Sequence, residues 1–338
     1  MTAPARKTDL NLVLFPVETR PLFFREEPEK QASLFGDEAT EELAIEDAPP
    51  ATYHQVPRFQ AIVDVERNRT FSVVSEQYRL VTNREALALG EQCFRQVFST
   101  TTADGMEVFH ITVPSTRSFC HVDFIHKDHT FEPFKGDKWW PYLRVTNSYN
   151  RTKPLRFDLG FCRAICTNGV IFGSEHIVFR YYHTHDQIGV EGQFHVDATR
   201  LKELETRFIE QMHNLKRYYV PAEHMLALVC KALAIDVKPE DLKNPRKRER
   251  LIEFRDEIAR LTKRYIDEIG PNGYAALNVV TDFASRPTLY ISQEAMVDPL
   301  QKRCGDWTTE FLEAIQDTKF DVQQYLGPFT QLADSLNA

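Results

Sequence analysis

The sequence predicts an α+β protein, an antiparallel-rich sheet with one or more packed helices followed by a helical C-terminal half. Three observations carry that expectation. Apolar residues recur with period 2 between Arg58 and about Tyr182, an Asn-Gly dipeptide sits between two apolar runs, and the period changes to 3.6 after Asp197.

Residues 1–55 are rich in acids (Glu26, Glu27, Glu29, Asp37, Glu38, Glu41, Glu42, Glu46, Asp47) and prolines and show no sustained period, which reads as an acidic, flexible arm. Two apolar islands, Leu12 to Phe15 and Leu34-Phe35, interrupt it. The folded part is expected to start near Tyr53. Residues 56–190 read as an α+β core. Its first strand carries Phe71, Val73 and Val74, and a helix capped by Asn83 follows with Ala86, Leu89, Cys93, Phe94 and Val97 on one side. Alternation returns in Val108 to Val113, Phe119 to Ile125, and Leu155, Phe157, Leu159 and Phe161, the pattern of half-buried strands. Asn168-Gly169, between Phe161 to Cys166 and Val170 to Phe172, predicts a tight hairpin turn at positive φ.

Residues 191–338 read as helical and packed on the core. One stripe is Leu201, Leu204, Phe208, Met212 and Leu215. A second helix, with Pro221 in its first turn, carries Met225, Leu228 and Val229. A long charged helix turns Leu251, Phe254, Ile258, Leu261 and Tyr265 inward and ends at Gly270-Pro271-Asn272-Gly273. Helices at Tyr274 to Phe283 and around Trp307, Phe311 and Ile315 complete the half.

At 338 residues and 42% apolar content the chain can bury a core without staples. No basic and apolar leader follows Met1 and no apolar run nears the roughly 20 residues that span a bilayer, so a cytoplasmic protein with no membrane contact is expected. The six cysteines are scattered with no CxxC pair, which fits a reducing compartment. The net charge of −8 is concentrated in the arm, whereas bases exceed acids between Arg117 and Arg180.

Several strings fall in a recognisable order: Val74-Ser-Glu-Gln-Tyr78-Arg-Leu-Val81 with Asn83, Asn147-Ser148, Arg163-Ala-Ile-Cys166-Thr-Asn168-Gly169, and Ala276-Leu-Asn278-Val-Val-Thr281-Asp-Phe283. Over residues 58–290 this order resembles the domain of unknown function 932 family. The resemblance implies a plasmid or prophage setting and no assigned mechanism.

Chemistry is expected first in the stretch from Lys135 to Lys153, where Lys135, Lys138, Arg144, Arg151 and Lys153 interleave with Trp139, Trp140, Tyr142, Asn147 and Tyr149. Cations that hold phosphates and aromatic faces that stack on bases suit single-stranded nucleic acid, DNA above all; ordinary core aromatics are the competing reading. Arg163 joins the set, or is a buried partner of Asp158. Arg246, Lys247 and Arg248 form a second basic cluster at a helix start, where cations oppose the macrodipole and so point to an external anion or to a solvated face. In the arm, Gln31, Leu34 and Phe35 resemble the short peptide by which polymerases dock on the sliding clamp.

The leading expectation is a nucleic-acid-binding protein, for single-strand binding or annealing, tethered to the clamp by its arm, without cofactor or metal and compatible with a homo-oligomer. No catalytic motif is legible: Gly-rich phosphate loops and nucleophile motifs are absent. The rivals are a metal-dependent hydrolase built on His121, His126, His129, His183 and His185, and a protein-interaction or host-defence component that touches no DNA.

Overall fold

The computed structural model describes residues 8–26, 52–102, 104–164, 169–172, 176–181, 183, 194–237, 241, 243–288, 290 and 297–331. Two antiparallel sheets are followed by the helical half. The three-stranded sheet runs in the order β1 (Val17–Glu26), β2 (Thr52–Asp64), β3 (Arg69–Ser75). The seven-stranded sheet is built from β4 (Met106–Thr112), β5 (Phe119–His126), β6 (Phe131–Phe134), β7 (Asp137–Ser148), β8 (Leu155–Arg163), β9 (Gly169–Val170) and β10 (Ile177–Tyr181). Its order is β10-β8-β7-β5-β4, with β6 added to β7 and β9 to β8. Helix α1 (Asn83–Val97) joins the sheets. The remaining helices are α2 (Ala198–Arg217), α3 (Met225–Leu233), α4 (Pro245–Ile269), α5 (Gly273–Ser285), α6 (Val297–Ala314) and α7 (Val322–Leu326).

The helices start and stop where local chemistry dictates. Asp197 caps α2 by accepting from the Arg200 amide, Asn244 caps α4 with Pro245 in its first turn, and Gly270 stops it at φ 93°. At α1 the cap is Thr82, which forms a capping box with Glu85. Asn83 is therefore the first helical residue and not the cap. Its side chain is buried and ties three segments together, donating to the Val13 carbonyl at 2.8 Å and accepting from Asn147 at 2.9 Å.

The expected mobile arm is partly ordered. Val13 is fully buried and Phe15 nearly so, and Val17–Glu26 is a strand of the three-stranded sheet, paired from Val17↔Asp64 to Glu26↔Thr52. Packing the first apolar island against Val74 and Tyr149 supplies the ordering energy that the acidic composition seemed to deny. The expected boundary near Tyr53 accordingly falls inside the first sheet.

Of the strands missing from the sequence reading, which include β1 and β6, β7 is the central and longest of the larger sheet and is buried along nearly its whole length. Strands buried on both faces lose the alternation that exposes a one-sided strand. For the same reason β8 is not half-buried: Asp158 and Gly160 are as enclosed as Leu159 and Phe161. One face of this sheet is apolar, with Trp139, Leu143, Val145, Phe157 and Phe161 under α1 and α2. The other face carries Asp123, Arg144 and Asp158 beside a smaller apolar cluster of Phe109, Ile125, Tyr142 and Cys162, and Asp298 at the start of α6 reaches it.

Asn168 lies outside the described residues. Gly169 opens β9 and pairs with Cys162, so residues 163–168 intervene and the connection is longer than a two-residue turn. Gly169 is not at positive φ. It is small for another reason: a Cβ there would stand 2.7 Å from Gln301 Nε2 and 3.1 Å from Tyr142 Oη.

Candidate nucleic-acid interface

The structure divides the expected binding stretch by depth. Trp139, Tyr142, Arg144, Asn147, Tyr149 and Arg163 are buried; Trp140 and Lys153 are half-buried; Lys135, Lys138 and Arg151 are exposed. Near opposite ends of β7, Lys138 and Arg151 are separated by roughly 30 Å of strand at about 3.3 Å per residue. The basic and aromatic face expected along this stretch is therefore not a surface.

Five of the six buried members are held by hydrogen bonds or ion pairs. Trp139 Nε1 donates to Tyr274 Oη at 3.1 Å, and Tyr274 donates in turn to Asp137. Arg163 binds Asp137 at 2.7 Å and Glu268 at 2.6 Å. Its partner is thus not Asp158, which pairs with Arg156 and Lys302. Asn147 donates to the Val81 carbonyl and to Asn83, and the Tyr149 hydroxyl accepts the Asn83 amide, so both fasten the start of α1. Arg144 makes a bidentate pair with Asp123 at 2.7 and 2.8 Å and reaches Asp298 of α6 at 3.2 Å. Burial opposes its charge, and the Asp123 carboxylate beside it reverses that and raises its affinity for the proton.

The second basic cluster is exposed. Arg246, Lys247 and Arg248 open α4, with Lys247 paired to Asp241 at 2.5 Å. Asn244 already accepts from the Arg246 and Lys247 amides, so the helix end itself offers few free donors. An open cleft of about 390 Å³ lies beside it, bordered by Lys247, Arg250, Tyr290 and Arg303.

The histidines do not converge. His121 is buried with Nδ1 against Thr146 Oγ1 at 2.8 Å, His129 meets Glu205, and His183 meets the Arg79 carbonyl at 3.0 Å. His185 lies outside the described residues. Among the described residues no group of three or more His, Cys, Asp or Glu side chains is placed to hold a metal ion. Among them, too, no helix is long and apolar enough to cross a membrane.

Over residues 70–303 the chain matches the family described as Domain of unknown function (DUF932). It belongs to this family. No curated protein and no solved structure matches significantly. Of the strings that carried the resemblance, Asn147 and Arg163 sit in the buried networks just described. Thr281 and Asn278 are fully buried within α5, both bonded to its own backbone. The DUF932 match begins inside the three-stranded sheet, at the second residue of β3, so β1 and β2 precede it.

Sequence reasoning missed a surface on those preceding strands. Among the described residues, five of the eight exposed large apolar side chains belong to the three-stranded sheet: Phe23 at 53%, Phe24 at 54%, Tyr53 at 63%, Phe59 at 47% and Val73 at 39% exposure. Beyond the irregularity between Pro21 and Phe23, the β1–β2 pair continues alone, with Phe23↔Gln55, Phe24↔His54 and Arg25↔Tyr53 in register. Phe23, Arg25 and Tyr53 share one side of this ribbon. On the other, Phe24 stacks on His54 with ring centroids 5.3 Å apart. Exposed Arg25, Arg58 and Arg69 lie on the same sheet with half-buried Arg20, which pairs with Glu18 at 2.6 Å, and no lysine occurs from residue 31 to 126. The signal available beforehand was the aromatic and arginine mixture of Phe23, Phe24, Arg25, Tyr53 and Arg58, masked by the neighbouring acids. Gln31, Leu34 and Phe35 lie outside the described residues, in the segment that connects the two ribbon strands.

Proposed function

We propose that this DUF932 protein binds single-stranded nucleic acid, DNA in preference, through the outer surface of its three-stranded sheet. One observation carries the reading: exposed aromatic rings and exposed arginines share a single sheet, where Phe23, Phe24 and Tyr53 on the ribbon are each more than half exposed. A two-stranded ribbon with both faces in water is marginal by itself, so large exposed rings there are a cost unless a partner covers them. Bases stack on Phe23 and Tyr53 for about 1–3 kcal/mol each, and arginine suits the phosphates because its planar fork both pairs and stacks. The exposed cations Lys135, Lys138, Arg151, Arg246 and Arg248 extend the electrostatic field at lower specificity. The connecting segment with Gln31, Leu34 and Phe35 would tether the protein to a sliding clamp. A cytoplasmic, mobile-element setting accords with the family resemblance and with five described cysteines that are all buried.

The test is binding of labelled single and double strands at two salt concentrations. Replacing Phe23 and Tyr53 with alanine lowers single-strand affinity without altering the salt slope. Replacing Arg20, Arg25 and Arg58 with glutamine flattens the slope by about 0.7 per lost phosphate contact. If the wild-type protein binds neither strand form at low salt, the reading fails and a protein-interaction role replaces it.

A further inference from the structure

The face of the larger sheet turned toward α6 carries charge where a buried face is ordinarily apolar. Asp123 and Arg144 stand opposite each other on β5 and β7, and Arg144 stands opposite Asp158 on β8. Three cations from three different segments then converge on one carboxylate of α6. Arg144 Nη1 lies 3.2 Å, Lys153 Nζ 3.5 Å and Lys302 Nζ 3.1 Å from Asp298, which is itself 4% exposed.

The cluster is unbalanced and open on one side. Among the described residues Arg144, Lys153, Arg156 and Lys302 face Asp123, Asp158 and Asp298, four positive charges against three negative. Lys153 and Lys302 remain 22% and 26% exposed, so the carboxylate sits just beneath the surface they form. Beside it His121, 2% exposed, has no hydrogen-bond partner at Nε2 among the described residues. His121 Nδ1 lies 2.8 Å from the Thr146 hydroxyl, and in the tautomer in which Nδ1 accepts that hydroxyl's proton, Nε2 is a donor with no acceptor among the described residues.

We infer that this cluster is an oxyanion site for a phosphate-type group, and that the Asp298 carboxylate occupies the anion's place in the structure. A phosphate oxyanion brings more charge and more acceptor oxygens than a carboxylate. It meets the same three cations, neutralises the surplus charge and gives His121 Nε2 an acceptor. Exchange is inexpensive because a buried ion pair contributes little net stability once desolvation is counted. The burial of His121 agrees with a neutral donor: burial holds its proton affinity well below the ordinary value, against the pull of Asp298. The inference does not rest on the nucleic-acid reading, since the ribbon residues are absent from the cluster. The same oxyanion chemistry is presented by a nucleic-acid backbone and by a free phosphate or phosphomonoester.

The experiment titrates the full chain with inorganic phosphate against chloride at matched ionic strength, read by calorimetry and by melting temperature. Phosphate is expected to bind saturably. Asp298→Asn, which keeps the shape and removes the competing charge, is expected to tighten binding by about tenfold or more. Lys153→Gln with Lys302→Gln, at half-exposed positions, is expected to weaken it at least as much. Phosphate behaving as chloride does in both the wild type and Asp298→Asn, or binding unchanged by the lysine pair, overturns the inference. Should Asp298→Asn fail to fold, the wild type with and without the lysine substitutions decides alone. Displacement of phosphate by a single-stranded oligonucleotide assigns the site to the nucleic-acid backbone, and displacement only by a phosphomonoester assigns it to a small ligand. Phe23→Ala with Tyr53→Ala leaves phosphate binding intact, so failure of the ribbon reading and failure of this one are told apart.

Discussion

Gly160→Ala tests whether Tyr142 is a packing residue. Gly160 lies directly opposite Tyr142 in the β7–β8 register, and the tyrosine ring lies over it. A Cβ at residue 160 would stand 2.4 Å from Cζ, 2.6 Å from Cε1 and 2.6 Å from Oη, about 1 Å inside ordinary van der Waals contact. The ring cannot give way freely, because it is 1% exposed, stacks toward Phe109 with centroids 6.4 Å apart and has the Arg144 guanidinium 5.6 Å from its centre. Overpacking of this kind costs about 1–3 kcal/mol. At about 2.1 cal/mol/K of unfolding entropy per residue, a chain of 338 residues loses roughly 1–2 °C of melting temperature per kcal/mol. Urea unfolding followed by circular dichroism measures the loss. Tyr142→Phe is the control: the hydroxyl has no hydrogen-bond partner among the described residues, so its removal is expected to cost little. Gly169→Ala should then be less costly in the Tyr142→Phe background, where the oxygen 3.1 Å away is gone. A Gly160→Ala protein as stable as the wild type would refute the assignment of Tyr142 to the interior.

Asp137→Asn should destabilise by about 3 kcal/mol or more, because it removes the charge shared by buried Arg163 and Tyr274, and equilibrium unfolding checks it. Stability should also depend on pH through His121 and His183, both held below their ordinary value first by burial. Above about pH 6.5 each is neutral folded and unfolded and adds no slope; below it the unfolded chain takes up protons that the folded one refuses. Stability therefore falls with acidification, by up to about 1.4 kcal/mol per pH unit for each histidine. His121→Asn should remove its share, and an unchanged pH profile would exclude that cause.

Much of the architecture is written in local periodicity. The stripe Leu201, Leu204, Phe208, Met212 and Leu215 faces the core of α2, all five buried, and Asn244-Pro245 and Gly270 bracket α4 as capping chemistry requires. The α+β class, the antiparallel sheet and the helical second half follow from the sequence alone, because period 2 and period 3.6 are properties of the chain segment itself. What tertiary structure decided is which side of each strand meets water. β7 reads as an exposed basic and aromatic stretch until Asp298, 154 residues further on, is set beside Arg144. The ribbon reads as a disordered acidic arm until residues 52–64 pair with 17–26. Burial depends on a second surface supplied from far along the chain, and a charged side chain whose partner is that distant carries no local mark of being inside.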